Sequence, residues 1–315
     1  MKGLELARAY YEECGKPVLN DEFADLMPYL AVGLAGSGSE CLGYDDEVSR
    51  DHDFEPGFCI FLPGEDVVDR REAFRLERAY ARLPKEFMGY KREMMGPVGG
   101  NRHGVIRTAD FYRDRTGLDP AGSPLTLQDW LKIPSYALRE AVSGEIFDDP
   151  YGAFTAIREE LMCMPEDVRL KKLAGHVLLM AQAGQYNYPR IIRHGEPAAA
   201  QTAVFEFVKN TVAAVFLLNN EYMPYYKWSF KAMRDLLVLG DLEPDLYGLM
   251  TTDNEGTRPQ DKYEKIEEIC GRVIGALKDQ ELTKAVCGDL EKHAYSINDA
   301  VADGDLRNLH ILSGV

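Results

Sequence analysis

The sequence predicts an α+β protein, with an N-terminal α/β domain carrying a mixed sheet over residues 1–120 and a C-terminal helical bundle over residues 121–315. Three observations lead there. Short, continuous apolar runs bounded by turn residues, "LAVGLAG" and "FCIFLP", lie early in the chain and read as buried strands. Beyond "GLDPAGSPLT" the pattern changes to long helical periodicities with few β-branched alternations. The 315 residues are 45% hydrophobic, enough for two cores.

Taken in order, Leu4, Ala7, Tyr10 and Tyr11 recur at helical spacing, as do Phe23, Leu26, Tyr29 and Leu30, so two short helices open the chain. The two strands follow, the second ended by Pro63. Residues 66–82 place Val67, Ala73, Leu76 and Ala79 among charges and predict an amphipathic helix before Pro84. "MGPVGGNRHG" reads as a loop, "VIRT" as a strand, and a helix starts near Ala109. In the second domain helices are expected over 152–162, 166–184, 197–219, 228–239, 261–277 and 280–302, with breaks near 186–189 and 222–226 at Pro189 and Pro224.

Lys+Arg 36 against Asp+Glu 52 gives a formal net charge of -16, which argues against general nucleic-acid binding or an anionic membrane surface. Six scattered cysteines without a CxxC pair, no signal peptide in "MKGLELARAYYEECGKPVL" and no apolar run near the length of a membrane span predict a cytoplasmic, reduced protein. Oligomeric state is not legible. His103, His176, His194, His293 and His310 show no zinc-ligand spacing. His52-Asp53 does not make a phosphohydrolase metal pair, because no histidine precedes it. Asp45-Asp46 and Asp148-Asp149 read as solvated loop charges.

The chemistry concentrates in "GSGSECLGYDDEVSRDHDF", residues 36–54. In a strand, Asp51 and Asp53 would share one face, and two neighbouring carboxylates repel unless a cation lies between them. Mg²⁺ or Mn²⁺ suits such hard oxygen ligands. Gly36, Ser37, Gly38 and Ser39 offer backbone N–H groups and hydroxyls that can meet a phosphate without side-chain obstruction. Together they would hold a nucleoside triphosphate with its metal.

A Gly-Ser pair followed, after thirteen positions from Gly36-Ser37 or eleven from Gly38-Ser39, by Asp-x-Asp resembles the polymerase-beta-like nucleotidyltransferase superfamily. The second register also supplies Gly43. The resemblance implies metal ligands at Asp51 and Asp53, β- and γ-phosphates at Gly38 and Ser39, and transfer of a nucleoside monophosphate with release of pyrophosphate. It also implies a third acid on a later strand. "GVIRT" carries none; Asp110, two residues on, is the candidate catalytic acid, with Glu55, Glu86 and Glu93 as further candidates. A base from the helical domain, as in the aminoglycoside-modifying relatives that the two-domain layout resembles, would be Glu145 or Glu196. The runs "GSGSECLG", "SRDHDF", "PGFCIFL", "KEFMGY", "GQYNYPR" and "YYKWSFKAM" are similar to an uncharacterised bacterial family of nucleotidyltransferase-like proteins with a helical C-terminal domain.

In the helical domain, Tyr186, Tyr188 and Arg190 surround a helix break, and Lys227 stands beside Trp228. Tyrosines can stack on a base and cations can grip phosphate, so these join the nucleotide-binding candidates. The expected activity is Mg²⁺-dependent transfer of a nucleotide, most simply AMP from ATP, to a small hydroxyl- or amine-bearing acceptor bound between the domains. The alternatives are a nucleotide-binding regulator without chemistry and nucleotidylation of a protein side chain.

Overall fold

The structure, a computed structural model, describes residues 1–51, 54–92 and 103–315. It is α+β. A four-stranded mixed sheet has the order β5-β2-β1-β6, with β1 (Ala31–Ala35), β2 (Cys59–Leu62), β5 (Gly104–Arg107) and β6 (Gly144–Asp148); β3 (Glu86–Phe87) and β4 (Tyr90–Lys91) form a separate hairpin. β1 runs antiparallel to β2 and β6, and β2 runs parallel to β5.

The chain divides into two compact units. The first is Met1–Leu125 with Ala137–Cys163, and the second is Thr126–Tyr136 with Met164–Val315. The first unit therefore extends past residue 120 and takes in β6, which the sequence reading left inside the helical domain. "GEIFD" has two charges and an exposed Glu145, so its periodicity is weak; pairing with β1 makes it a strand.

In the first unit α1 (Gly3–Tyr10), a π-helical turn over Tyr11–Gly15 and α2 (Lys16–Glu22) form one nearly continuous opening helix; α3 (Arg70–Arg82) comes later. The second expected opening helix is only a 3-10 turn, Met27–Tyr29, since Leu30 leads directly into β1. Side chains alternate across the sheet. Val32, Ile60 and Leu62 join Tyr10, Tyr11, Leu19, Phe58 and Leu76 in one core cluster. On the other face Phe61 stacks on Phe154 (centroids 4.1 Å) and meets Phe111 edge-on, which seats α4 (Thr108–Thr116) and α7 (Ala153–Leu161) there. The inner strands β1 and β2 are therefore buried on both faces.

The second unit holds α5 (Leu127–Lys132), the first residues of α6 (Ser135–Val142), α8 (Glu166–Met180), α9 (Tyr188–Arg193), α10 (Pro197–Leu218), α11 (Tyr226–Met233), α12 (Glu243–Thr251), α13 (Arg258–Asp279), α14 (Leu290–Asp299) and α15 (Gly304–Asn308). The expected break near Pro189 is a π-helical segment, Ala181–Asn187, which absorbs the proline without ending the helix. The helix expected over 280–302 starts only at Leu290, because Glu281 adopts a left-handed conformation (φ +57°) and Asp289 caps the new start through Glu291 N–H.

α10 has a mean hydropathy of 1.2 over an 18-residue window and would pass for a membrane span by length and composition, contrary to the sequence expectation. That window is 72% buried within the protein, as a core helix would be. The central α8 buries two adjacent lysines. Lys171 donates to Asn298 Oδ1 (2.7 Å) and Leu309 C=O (2.8 Å). Lys172 donates to the carbonyls of Leu131 (2.9 Å), Ile133 (3.1 Å) and Gly314 (3.0 Å). One turn on, His176 is buried and its Nδ1 lies 2.8 Å from Asn210 Oδ1; burial pulls its pKa down to about 4.

Candidate functional site

The strand directions bring the exit from β1 and the entries into β2, β5 and β6 to one edge of the sheet. The Gly-Ser segment leaves β1 at that edge. Gly36 (φ +114°) and Gly38 (φ +122°) hold conformations that a Cβ would strain. The turn is closed by Gly43 N–H to Glu40 C=O (3.1 Å) and Tyr44 N–H to Ser39 C=O (2.8 Å), and Gly144 N–H ties it to β6 through Cys41 C=O (2.9 Å). Among the described residues nothing accepts a hydrogen bond from the amides of Ser37, Gly38 and Ser39. Three successive free amides in a glycine turn can meet an anion.

Opposite charges stand at the two ends of this loop. Arg115, near the end of α4, lies against Gly36, where an added Cβ would come within 2.3 Å of its Nη2. Its Nη1 donates to Phe111 C=O (2.9 Å) and its guanidinium carbon sits 3.7 Å from the Phe111 ring centroid. Its Nε is buried and has no hydrogen-bond partner among the described residues. Burial lowers the Arg115 pKa, partly offset by the fields of Cys59, Glu140, Cys41 and Asp114. At the other end the buried Glu40 carboxylate lies 3.0 Å from the position of a Cβ on Gly38 and accepts from Ser39 Oγ (3.3 Å).

Asp51 ends a 3-10 turn, Val48–Asp51, and β2 begins only at Cys59, so strand alternation does not apply at Asp51. The Asp51 side chain and all of Asp53 lie outside the described residues, as does Glu93. Glu55 and His103, which precede the adjacent parallel strands β2 and β5, meet with Oε1 to Nδ1 3.2 Å. Among the described residues no group of three or more His, Cys, Asp or Glu side chains is arranged for a metal.

Asp110 is placed differently from the expectation. β5 carries the chain to the opposite edge of the sheet before α4 turns back, so Asp110, in the first turn of α4, starts away from the loop. It pairs there with Arg113 (2.7 Å) and is exposed. Arg115, five residues later, is the α4 side chain that reaches the Gly-Ser turn. Glu86 lies on the β3–β4 hairpin, Glu145 pairs with Arg8 from β6, and Glu196 is an exposed residue preceding α10.

In the second unit Tyr186 and Arg190 do come together, with the guanidinium 4.8 Å from the ring centroid, on an open cavity of about 620 Å³ that Arg193, Thr257 and Tyr263 also line. Tyr188 lines it too but is fully buried, and its hydroxyl donates to Asn254 Oδ1 (2.8 Å); that fixes α9 rather than offering a free hydroxyl. Lys227 stands over Trp228, 5.0 Å from its centroid, and is not among the cavity residues. Asp45 is no solvated loop charge: it is buried, accepts from Gly3 N–H (2.8 Å) and pairs with Lys2 (3.3 Å). Asp149 accepts from Gly152 and Thr155 N–H at the start of α7.

Arg115 and Glu40 escaped the sequence reading. Nothing in "DFYRDRT" distinguishes Arg115 from its exposed neighbours, whereas Glu40, an acid directly after the Gly-Ser-Gly-Ser run, could have been flagged.

A family model described as a domain of unknown function, DUF4037, matches residues 130–229. No curated protein matches the chain. Among solved structures the chain is similar to a nucleotidyltransferase-like protein from Exiguobacterium sibiricum 255-15, at 10% identity, with 90% of this chain and 79% of that one covered and a TM-score of 0.38. That likeness is too distant to establish a shared fold.

Proposed function

We propose that the first unit binds a nucleoside triphosphate with Mg²⁺ and transfers its nucleoside monophosphate, most simply AMP, to a small hydroxyl- or amine-bearing acceptor. The observation that supports this best is the loop itself: three free amides in a glycine turn leave the central strand, and the chain then runs through Asp51 and Asp53 into the neighbouring antiparallel strand. In this reading Ser37, Gly38 and Ser39 hold phosphate oxygens, and Asp51 and Asp53 hold the metal, which neutralises charge and aligns the attack.

Isothermal titration with a non-hydrolysable ATP analogue, with and without Mg²⁺, tests the site. Binding that requires Mg²⁺ and is lost in Asp53→Asn supports it; absence of binding for analogues of all four nucleotides would overturn it. An acceptor screen then reads pyrophosphate release.

A second reading, a nucleotide-binding regulator without chemistry, is favoured by one observation. β5 carries no carboxylate, and Asp110 begins at the far edge of the sheet. Mg²⁺-dependent nucleotide binding with no pyrophosphate release for any acceptor would select it.

A further inference from the structure

We propose that the cavity between α9 and the start of α13 is a second ligand site, separate from the glycine turn, and that it takes a small organic polyanion, a molecule carrying carboxylate or phosphate groups. The inference stands whether or not the first unit binds a nucleotide. The cavity lies wholly within the second unit, where the π-helical segment Ala181–Asn187 runs into α9; residues 256–263 supply the other wall. At about 620 Å³ it has the size of a metabolite pocket.

Its charge sets it apart. Asp and Glu number 52 in this chain against 36 Lys and Arg, yet no acidic residue lines the cavity and two arginines do. Arg169, Arg234, Arg258 and Arg272 of the same unit each pair with a carboxylate, and Arg307 donates to Val301 C=O (3.0 Å). Among the described residues Arg190 and Arg193 pair with no carboxylate. Arg190 lies against the Tyr186 ring, and Arg193 gives only Nε, to Pro189 C=O (3.1 Å). Three residues apart on a helix they are neighbours, and like charges there repel. α9 ends at Arg193, and a helix C-terminus favours a cation. That helps α9 to carry the pair, but it does not clear acids from the opposite wall.

The walls are held in place before any ligand arrives. The Tyr188 hydroxyl, bonded to Asn254, ties α9 to the segment that precedes α13. Gln185 donates to Glu267 Oε2 (2.9 Å) and Gly288 C=O (3.1 Å) and accepts from Leu290 N–H (3.0 Å). An arginine fork matches two oxygens of a carboxylate or a phosphate, and Tyr186 and Tyr263 offer ring surface to the carbon skeleton between such groups.

The test is calorimetric titration of the full chain, in metal-free buffer of low, fixed ionic strength, with citrate and separately with inorganic pyrophosphate. The variants are Arg190→Gln/Arg193→Gln and a charge-matched control, Arg71→Gln/Arg78→Gln, which removes two exposed arginines of α3; each is checked for folding by circular dichroism. Wild type and control bind alike, and the cavity variant binds at least tenfold more weakly. Tighter binding of citrate identifies a carboxylate ligand, and tighter binding of pyrophosphate a phosphate ligand. If the double variant does not fold, Arg190→Lys, which keeps the charge but not the fork, carries the comparison with a smaller loss. No binding of either probe by wild type, undiminished binding in the folded cavity variant, or an equal loss in the control overturns the proposal. A Mg²⁺-ATP-analogue titration then separates the two sites: unchanged nucleotide binding in the cavity variant keeps them apart, and its loss together with the anion overturns a separate site. Anion binding without any nucleotide binding would sink the transferase reading and leave this site standing.

Discussion

Lys171 and Lys172 in the helical unit and Arg115 in the sheet unit are cations held in different ways. In the helical unit Lys171 and Lys172 meet only neutral oxygens, and Lys172 fills all three of its donor positions with carbonyls. In the sheet unit the half-buried Arg115 donates Nη1 to Phe111 C=O, but among the described residues its Nε has no partner. A cation whose donors are all used fastens chain segments together, and its removal is a stability problem. A cation left incomplete holds less of the fold in place, and its removal costs correspondingly less stability. Neither distinction is visible in the charge alone.

The comparison breaks first if Lys172 is dispensable. Lys172→Met keeps the length of the side chain but leaves three carbonyls without a donor, at about 1–3 kcal/mol each, so a loss on the order of 5 kcal/mol is expected in urea unfolding. A loss below about 1 kcal/mol would show that the lysine merely occupies space. Burial pulls the Lys172 pKa down to about 8.

His176 offers the next largest effect, on the acid side. Its pKa falls from 6.5 to about 4 in the folded protein, so between those values the unfolded chain binds the extra proton and stability drops as pH falls. The full shift corresponds to about 3 kcal/mol, and the difference in melting temperature between pH 7 and pH 4.5 should shrink in His176→Gln. An unchanged pH dependence would mean that the carboxylates alone drive acid unfolding.

Smallest is Gly36→Ala. Backbone strain at φ +114° predicts a cost of about 1–3 kcal/mol. The clash with Arg115 makes that cost smaller in an Arg115→Ala background, a coupling that a double-mutant cycle measures.

The sequence made much of this fold readable, and its failures are local. β1 and β2 announced themselves because they are buried on both faces and so contain nothing but apolar residues and glycine. α10 and α13 carry their periodicity over 22 residues each, long enough to outweigh local noise. β6 has no such pattern and exists because β1 offers it an edge.

The Gly-Ser loop was legible because glycine has few reasons to cluster. Arg115 was not, because its burial depends on a glycine seventy-nine positions earlier (115 minus 36) that leaves room for it. Lys171 and Lys172 were illegible for the same reason: only the returning C-terminal segment makes that charged pair a buried one.

That returning segment has a consequence for how the protein forms. Lys171 finds the Leu309 carbonyl 138 residues later, and Lys172 finds Gly314 142 residues later. A ribosome has long since released α8 when those carbonyls emerge. Until then two ammonium groups keep the central helix of the second unit wet, because burying them early would leave them unsatisfied. Closure of the helical unit therefore depends on contacts of high sequence separation, whereas the strands of the sheet unit are all present by residue 148.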